Sequence, residues 1–356
     1  MTLSIFLFGF ASGPLVMGPL ADRFGRRPVL LAGASIFTAA GLACAVSPSI
    51  AMLLASRLVQ GIGAGAAATL SMVVVRDLYV GDKARAMISH VSLVTGLAPI
   101  VAPMIGAAIL GFASWRMIYL VLGMAGVALL VAVMFGFAET APQQQPGSRP
   151  HSLHPAQIAR SYAEMLRHRV FLGHALINAA SFGCMFAYIS SSPLIFMHNL
   201  GVSKQVYSGL FAFTASMLML GAIINGRCAQ RGIPGPRMLD IGQTAMVLAT
   251  LALLAVAWTG THHVLPLVLP IAICFVGLGI VMPTANHAAL QPMGHRAGTA
   301  GAVLRGAQMA AGAFTSFLVA AFYDGHSAHS VAIVMSAAAC LAMGLRIALL
   351  RPATSG

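Results

Sequence analysis

Two arginines stand inside long apolar runs: Arg57, in Arg57-Leu58-Val59-Gln60-Gly61, and Arg305, between Gly301 and Gly306. A cation in hydrocarbon is expensive, and it persists only where a partner or a water-filled cavity offsets the cost. The chemistry open to such residues is the handling of charge: holding a polar ligand, or setting the field in which a proton moves. Arg57 lies about two turns into its run, so its stem could also snorkel toward the nearer interface. Gln60 and the Gly61-x-x-x-Gly65 spacing make the same stretch a closely packed, partly polar helix face. His90, His174 and His287 also fall within apolar runs and could titrate near neutral pH, while Asn178, Asn225, Asn286, Gln291 and Gln308 offer neutral cavity contacts. No His-x-x-x-His pair, Walker-type phosphate loop or Gly-x-Ser-x-Gly turn accompanies them. The sequence therefore supports neither an ATP-driven pump nor an intramembrane hydrolase.

A second concentration of charge lies in Gly18 to Arg27, where Asp22, Arg23, Arg26 and Arg27 fall between the uncharged runs Leu3 to Leu20 and Pro28 to Val46. Each run approaches the about 20 residues that a bilayer crossing needs, so the charged stretch reads as a tight turn between two membrane helices. Gly18 lets a helix end approach a neighbour, Gly25 permits a bend that a side chain would obstruct, and Pro28 suits the first turn of the next helix.

The elements that must position these residues follow from composition. Hydrophobic residues make up 59% of the 356 and charged residues only 8%, too little polar surface for a soluble domain of this size. This predicts an all-α polytopic membrane protein lodged in a lipid bilayer. The net charge of +13 does not indicate nucleic acid as a partner, because the bases lie between apolar spans and form no aromatic-interleaved face. Cys44, Cys184, Cys228, Cys274 and Cys340 are widely separated, with no Cys-x-x-Cys pairing for a metal or redox centre.

Apolar runs predict spans near 3–20, 28–46, 50–75, 86–110 and 117–138, and then near 170–197, 205–225, 238–258, 264–290, 298–321 and 329–350. That gives an N-terminal bundle of five spans over 1–138, a linker over 139–169 rich in Pro and Gln, a C-terminal bundle of six spans over 170–350, and a tail over 351–356. Arg23, Arg26, Arg27, Arg76, Lys83, Arg85, Arg149, Arg160, Arg167, Arg169, Arg227, Arg231, Arg237, Arg296, Arg346 and Arg351 fall on one side, and only Arg116 and Lys204 on the other. The positive-inside rule makes the first side cytoplasmic, with the C-terminus inside and Met1 outside. Gly221 to Arg231 weakly echoes the first charged loop, with Asn225 where the acid would stand. Parallel halves of this kind enclose a cavity near the bilayer midplane in transporters.

Gly18, Leu20, Asp22, Arg23, Gly25, Arg26 and Arg27 match, residue by residue, the signature loop Gly-x-Leu-x-Asp-Arg-x-Gly-Arg-Arg, so the chain resembles the major facilitator superfamily. Arg57 and Gly61 resemble that family's Arg-x-x-x-Gly motif, whose arginine is implicated in proton coupling. The run Leu97-Ala98-Pro99-x-x-Ala102-Pro103-x-x-Gly106 departs from the family's antiporter motif but looks like the bicyclomycin and chloramphenicol resistance (Bcr/CflA) branch of drug efflux proteins. Gly9, Arg27-Pro28, Glu139-Thr140, Met282-Pro283-Thr284-Ala285-Asn286 and Ala297-Gly298-Thr299-Ala300 carry the same likeness.

The resemblance implies proton-driven efflux of drugs or small amphipathic molecules across a bacterial inner membrane, with no cofactor beyond the proton gradient. The alternatives are a solute importer of the same superfamily, or a truncated transporter-like protein without coupled transport. It also implies a latch at the inner face, with Asp22 at the tip of a neighbouring helix and Arg26 facing Asp77. Members of the superfamily have twelve helices and carry the signature loop after the second, whereas here it follows the first. The expectation is therefore eleven helices of twelve, with the first family helix and its cavity carboxylate lacking and no deep acid near Arg57.

Overall fold

The computed structural model describes residues 2–78, 87, 101–102, 105–139, 165–260, 263–325 and 327–350; within these ranges the side chains of 15, 16, 18, 19, 22, 23, 69, 72, 73, 76, 77, 294–299 and 302 are not described. It divides into two compact units, the first built from residues before Glu164 and the second mainly from Met165 onward. Among the described residues every regular element is helical. Nine helices there are long and apolar enough to cross a membrane. The expected span at 86–110 falls largely outside the described residues.

The first unit contains α1 (Thr2–Phe24), α2 (Arg26–Ala45), α3 (Ile50–Leu78) and α4 (Trp115–Gly136), with residues 108–112 also helical. A single residue, Gly25, joins α1 to α2 at φ 98°, a backbone angle that L side chains rarely adopt. Small residues then let α1 and α3 approach until each indents the other. A methyl group added at Gly9 or Gly13 would run into the carbonyls of Leu58 and Ile62, and one at Gly61 or Gly65 into those of Phe6 and Phe10. Two small-x-x-x-small stripes are thus interlocked, the arrangement that replaces the hydrophobic effect as the glue between helices in lipid. Further contacts join α2 to α3 and α2 to α4.

The second unit contains α5 (Arg169–Pro193), a π-helical extension (Leu194–Asn199), α6 (Lys204–Gln230), α7 (Gly235–Trp258), α8 (Val264–Leu290), a 3-10 turn (Gln291–Arg296), α9 (Ala297–Phe322) and α10 (His329–Leu349). Here α5 is the hub, packed on α8, α9 and α10. Its buried Tyr188 lies edge-on to Phe275 and stacked near Phe211, within a core that also holds Phe196, Met246, Leu278 and Met335. Several polar side chains in this unit bond back to their own helix: Thr250 donates to the Met246 carbonyl and Ser191 to that of Ala187.

The units repeat the same pairings. The contact of α1 with α3 recurs as α6 with α8, where Gly221 meets the Val276 carbonyl and Gly279 that of Leu218. The contacts of α2 with α3 and α4 recur as α7 with α8 and α10. The α1–α2 turn recurs as Arg231 to Pro234, again with a glycine at positive φ, Gly232 at 77°.

Candidate functional site

The charged loop is built around a carboxylate that sequence reasoning did not place there. Glu139, just beyond the end of α4, accepts hydrogen bonds from the backbone N–H groups of Arg26 (2.8 Å) and Arg27 (3.1 Å) at the start of α2. A helix N-terminus exposes unsatisfied donors and the positive end of its dipole, so an anion seats there naturally. Gly25 makes room for it, since a Cβ at that position would lie 2.5 Å from a Glu139 oxygen. The Arg27 guanidinium reaches the Met134 carbonyl at 2.7 Å, tying the same two helices a second time. The side chains of Asp22, Arg23 and Asp77 lie outside those described, and with them the expected Arg26–Asp77 pairing. Gly18 sits within the last two turns of α1.

Arg57 is covered, not snorkelled. It is 9% exposed, its Nη1 donates to Gln60 Oε1 at 2.7 Å, and its guanidinium lies 4.1 Å from the Phe6 ring centroid and 5.5 Å from that of Tyr119. Three helices, α1, α3 and α4, thus close over one cation, and α2 contributes Gly41, which leaves space for the Gln60 amide. Among the described residues no carboxylate reaches Arg57. Its Nε and the Gln60 Nε2 are buried without a partner there, so the cluster offers spare donors and requires an acceptor. By contrast Arg116, at the start of α4, stacks on Trp115 and donates to the Ser47 carbonyl.

In the second unit Gln308 of α9 donates to Asn178 of α5 at 3.0 Å, both side chains being buried, and Thr315 donates to the Gly183 carbonyl along the same seam. His174, one turn before Asn178, is half-buried and bonded through Nδ1 to the Val170 carbonyl. His287 is exposed near the end of α8 and joins neither cluster, while Arg305 is exposed one turn before Gln308. Asn225 bonds Thr284, linking α6 to α8. At the ends of α7 and α10, Arg346 binds Asp240 at 2.5 Å and the Pro236 carbonyl. That pair was not anticipated as a unit: Asp240 was visible as an acid at a helix start, but nothing in the sequence named its partner.

Of the expected packing motif, Ala98, Pro99 and Pro103 lie outside the described residues, as does His90. Ala102 is helical and exposed. No described atom lies within 4 Å of a Cβ built on Gly106, so the tight helix contact expected of that glycine is not seen among the described residues.

The two helical units repeat their pairings, Arg57 of the Arg-x-x-x-Gly run is buried, and residues 1–316 match the Major Facilitator Superfamily. The chain belongs to that superfamily. Among its major facilitator relatives, the uncharacterized MFS-type transporter YdgK of Bacillus subtilis (strain 168) is 35% identical over 323 residues, covering 90% of this chain and 78% of that protein. Multidrug resistance protein MdtL of Escherichia coli O139:H28 is 29% identical over 320 residues, with the same coverages. Among solved structures, a POT family transporter in complex with a thioalcohol-conjugated peptide superposes with TM-score 0.74 at 16% identity, covering 98% of this chain and 86% of that one. The partially occluded inward-open xylose transporter XylE of E. coli gives 0.70 at 15%, covering 99% and 87%. At such identities these structures speak for the shared fold alone.

Proposed function

We propose that this major facilitator protein is a proton-coupled exporter of drugs or small amphipathic molecules, of the Bcr/CflA type, working by alternating access in a bacterial inner membrane with its C-terminus in the cytoplasm. The observation that carries the reading is the Arg57–Gln60 cluster, a buried cation with spare donors and no counter-charge among the described residues. Such a group alters its surroundings strongly when a proton or a polar ligand enters. Similarity to MdtL, whose name is that of a multidrug resistance protein, supports the drug class. Proton entry is the proposed energy source, and Gly18, Asp22, Arg23, Gly25, Arg26, Arg27 and Asp77 form the proposed inner-face latch, with Glu139 added to it. Ala98, Pro99, Ala102, Pro103 and Gly106 are the proposed helix-packing stretch.

The reading includes one further helix on the faces of α3 and α4 that are exposed among the described residues, which would supply the acceptor that Arg57 and Gln60 lack there. In the second unit α5 fills the corresponding place, against α8 and α10. The test is drug uptake into everted vesicles, with the chain alone and with a designed apolar helix bearing one Asp fused ahead of α1. Uptake that follows the proton gradient, and is greater with the added helix, is expected. Uptake indifferent to collapse of the gradient in both forms would overturn the coupling, and movement only inward in whole cells would favour the importer.

A further inference from the structure

Arg305 lies eight residues past the start of α9, about 12 Å along the axis. At 100° per residue it shares a face with Gln308, Met309, Gly312 and Ser316, all of which are buried. The opposite face carries Phe314 and Phe317, 62% and 47% exposed, as lipid-facing side chains should be. Arg305 itself is exposed at the edge of this buried face, and within a membrane-spanning helix a guanidinium needs water or a polar partner. Among the described residues it has no hydrogen-bond or ion-pair partner. The described acids of this unit cannot supply one: Asp240 is held by Arg346 at the ends of α7 and α10, and Asp324 follows the far end of α9, bonded to Ser327. One turn along, Gln308 and Asn178 form a buried amide pair in which the Asn178 Nδ2 still lacks a partner. His174 stands one turn from Asn178 on the same face of α5, its Nδ1 committed to the Val170 carbonyl.

Among the described residues the inventory at this place is one of donors: an exposed guanidinium, a buried amide N–H left over, and no carboxylate within reach. We infer that Arg305, with the Gln308–Asn178 pair beside it, binds the anionic group of the transported molecule, so that the substrate is an amphipathic organic anion bearing a carboxylate. Arg suits that role because its planar fork meets a carboxylate through two parallel hydrogen bonds, an arrangement a lysine cannot reproduce. The apolar part of the molecule would lie against the surrounding aliphatic surface, as in most small-molecule sites.

The inference rests on the transporter reading, and binding separates the two. Purified full-length protein in lipid nanodiscs would be titrated with 2-naphthoate and with its neutral isostere 2-naphthamide. Tighter binding of the carboxylate is expected, with Arg305→Gln weakening naphthoate by about tenfold or more and leaving naphthamide unchanged. Arg305→Lys, which keeps the charge but loses the fork, should fall between them, and its melting temperature controls for folding. Equal binding of the two probes, binding of neither, or a naphthoate affinity unmoved in Arg305→Gln would overturn the inference. The transporter reading would still stand if vesicles carrying Arg305→Gln moved chloramphenicol, a neutral drug, down to the same dependence on the proton gradient. Failure of wild-type vesicles to move chloramphenicol and naphthoate alike would instead remove the transporter reading.

Discussion

The two units solve the same packing problem with different polar chemistry. Both press glycine-bearing helices together, α1 on α3 and α6 on α8, and both tie the ends of an outer pair with a carboxylate. The tie is reversed in sense. In the first unit the acid, Glu139, follows α4 and caps the start of α2; in the second the acid, Asp240, lies near the start of α7 and binds Arg346 at the end of α10. The larger difference is the hub. In the second unit α10 rests on both α5 and α7 and about half of it is buried, whereas α4 is mostly exposed among the described residues. A neutral amide pair sits beside the hub, while the first unit holds a buried arginine with unmet donors. Similar seams thus fix the fold, while the polar groups between them differ: a buried cation in the first unit, and in the second an amide pair with one donor left over.

The sharpest way to break this comparison is at the unlike groups. Arg57→Ala is expected to abolish proton dependence of transport, while Asn178→Ala lowers affinity and leaves coupling intact, read from vesicle uptake with and without an uncoupler. Equal loss of coupling in both variants would show that the units do not differ in the way described.

The like seams should respond alike. Leucine at Gly61 or at Gly221 must displace a neighbouring helix backbone, and each should cost about 3 kcal/mol, seen as a lower melting temperature in detergent. A harmless change at one position only would mean that its seam is not a true repeat. The two charged ties should differ modestly. Arg346→Ala leaves Asp240 beside an apolar interface, but with Asp240 itself 43% exposed the loss should be nearer 2 kcal/mol than the full value for a buried pair. Glu139→Gln weakens the charge interaction with the start of α2, about 0.5 kcal/mol, and should slow transport without changing drug binding. The reverse order of effects would contradict the assignment of the second tie as the more buried.

Much of this was legible in the chain itself. The Gly18–Arg27 stretch announces its turn because charges cannot be placed between two apolar runs at any other depth, and Gly25 does adopt the positive φ that a one-residue link requires. The cost of burying Arg57 likewise marks it before any coordinates. What the sequence could not supply was pairing at long range. Glu139 is 113 residues from Arg26 and Asp240 is 106 from Arg346, and an acid next to a helix end has no local signal for which helix it will cap. The interlock of Gly9 and Gly13 with Gly61 and Gly65 was half visible: spacing gave the small-residue stripe of Gly61 and Gly65, but not its partner stripe on α1 or the register between them. Gly106, chosen by motif, has no described neighbour to pack on, because a glycine in a pattern records permission for contact and not the contact itself.

The central claim is that the unmet donors of Arg57 and Gln60 are the point where proton movement and transport are linked. The most direct measurement is proton influx into everted vesicles, followed by a pH-sensitive dye on adding drug, for the helix-supplemented protein and for its Arg57→Ala variant at matched expression. The account predicts drug-evoked proton movement in the first and none in the second, with drug binding retained in both. Proton movement of equal size in Arg57→Ala would contradict it and would shift the role to an intramembrane histidine, His174 before the exposed His287.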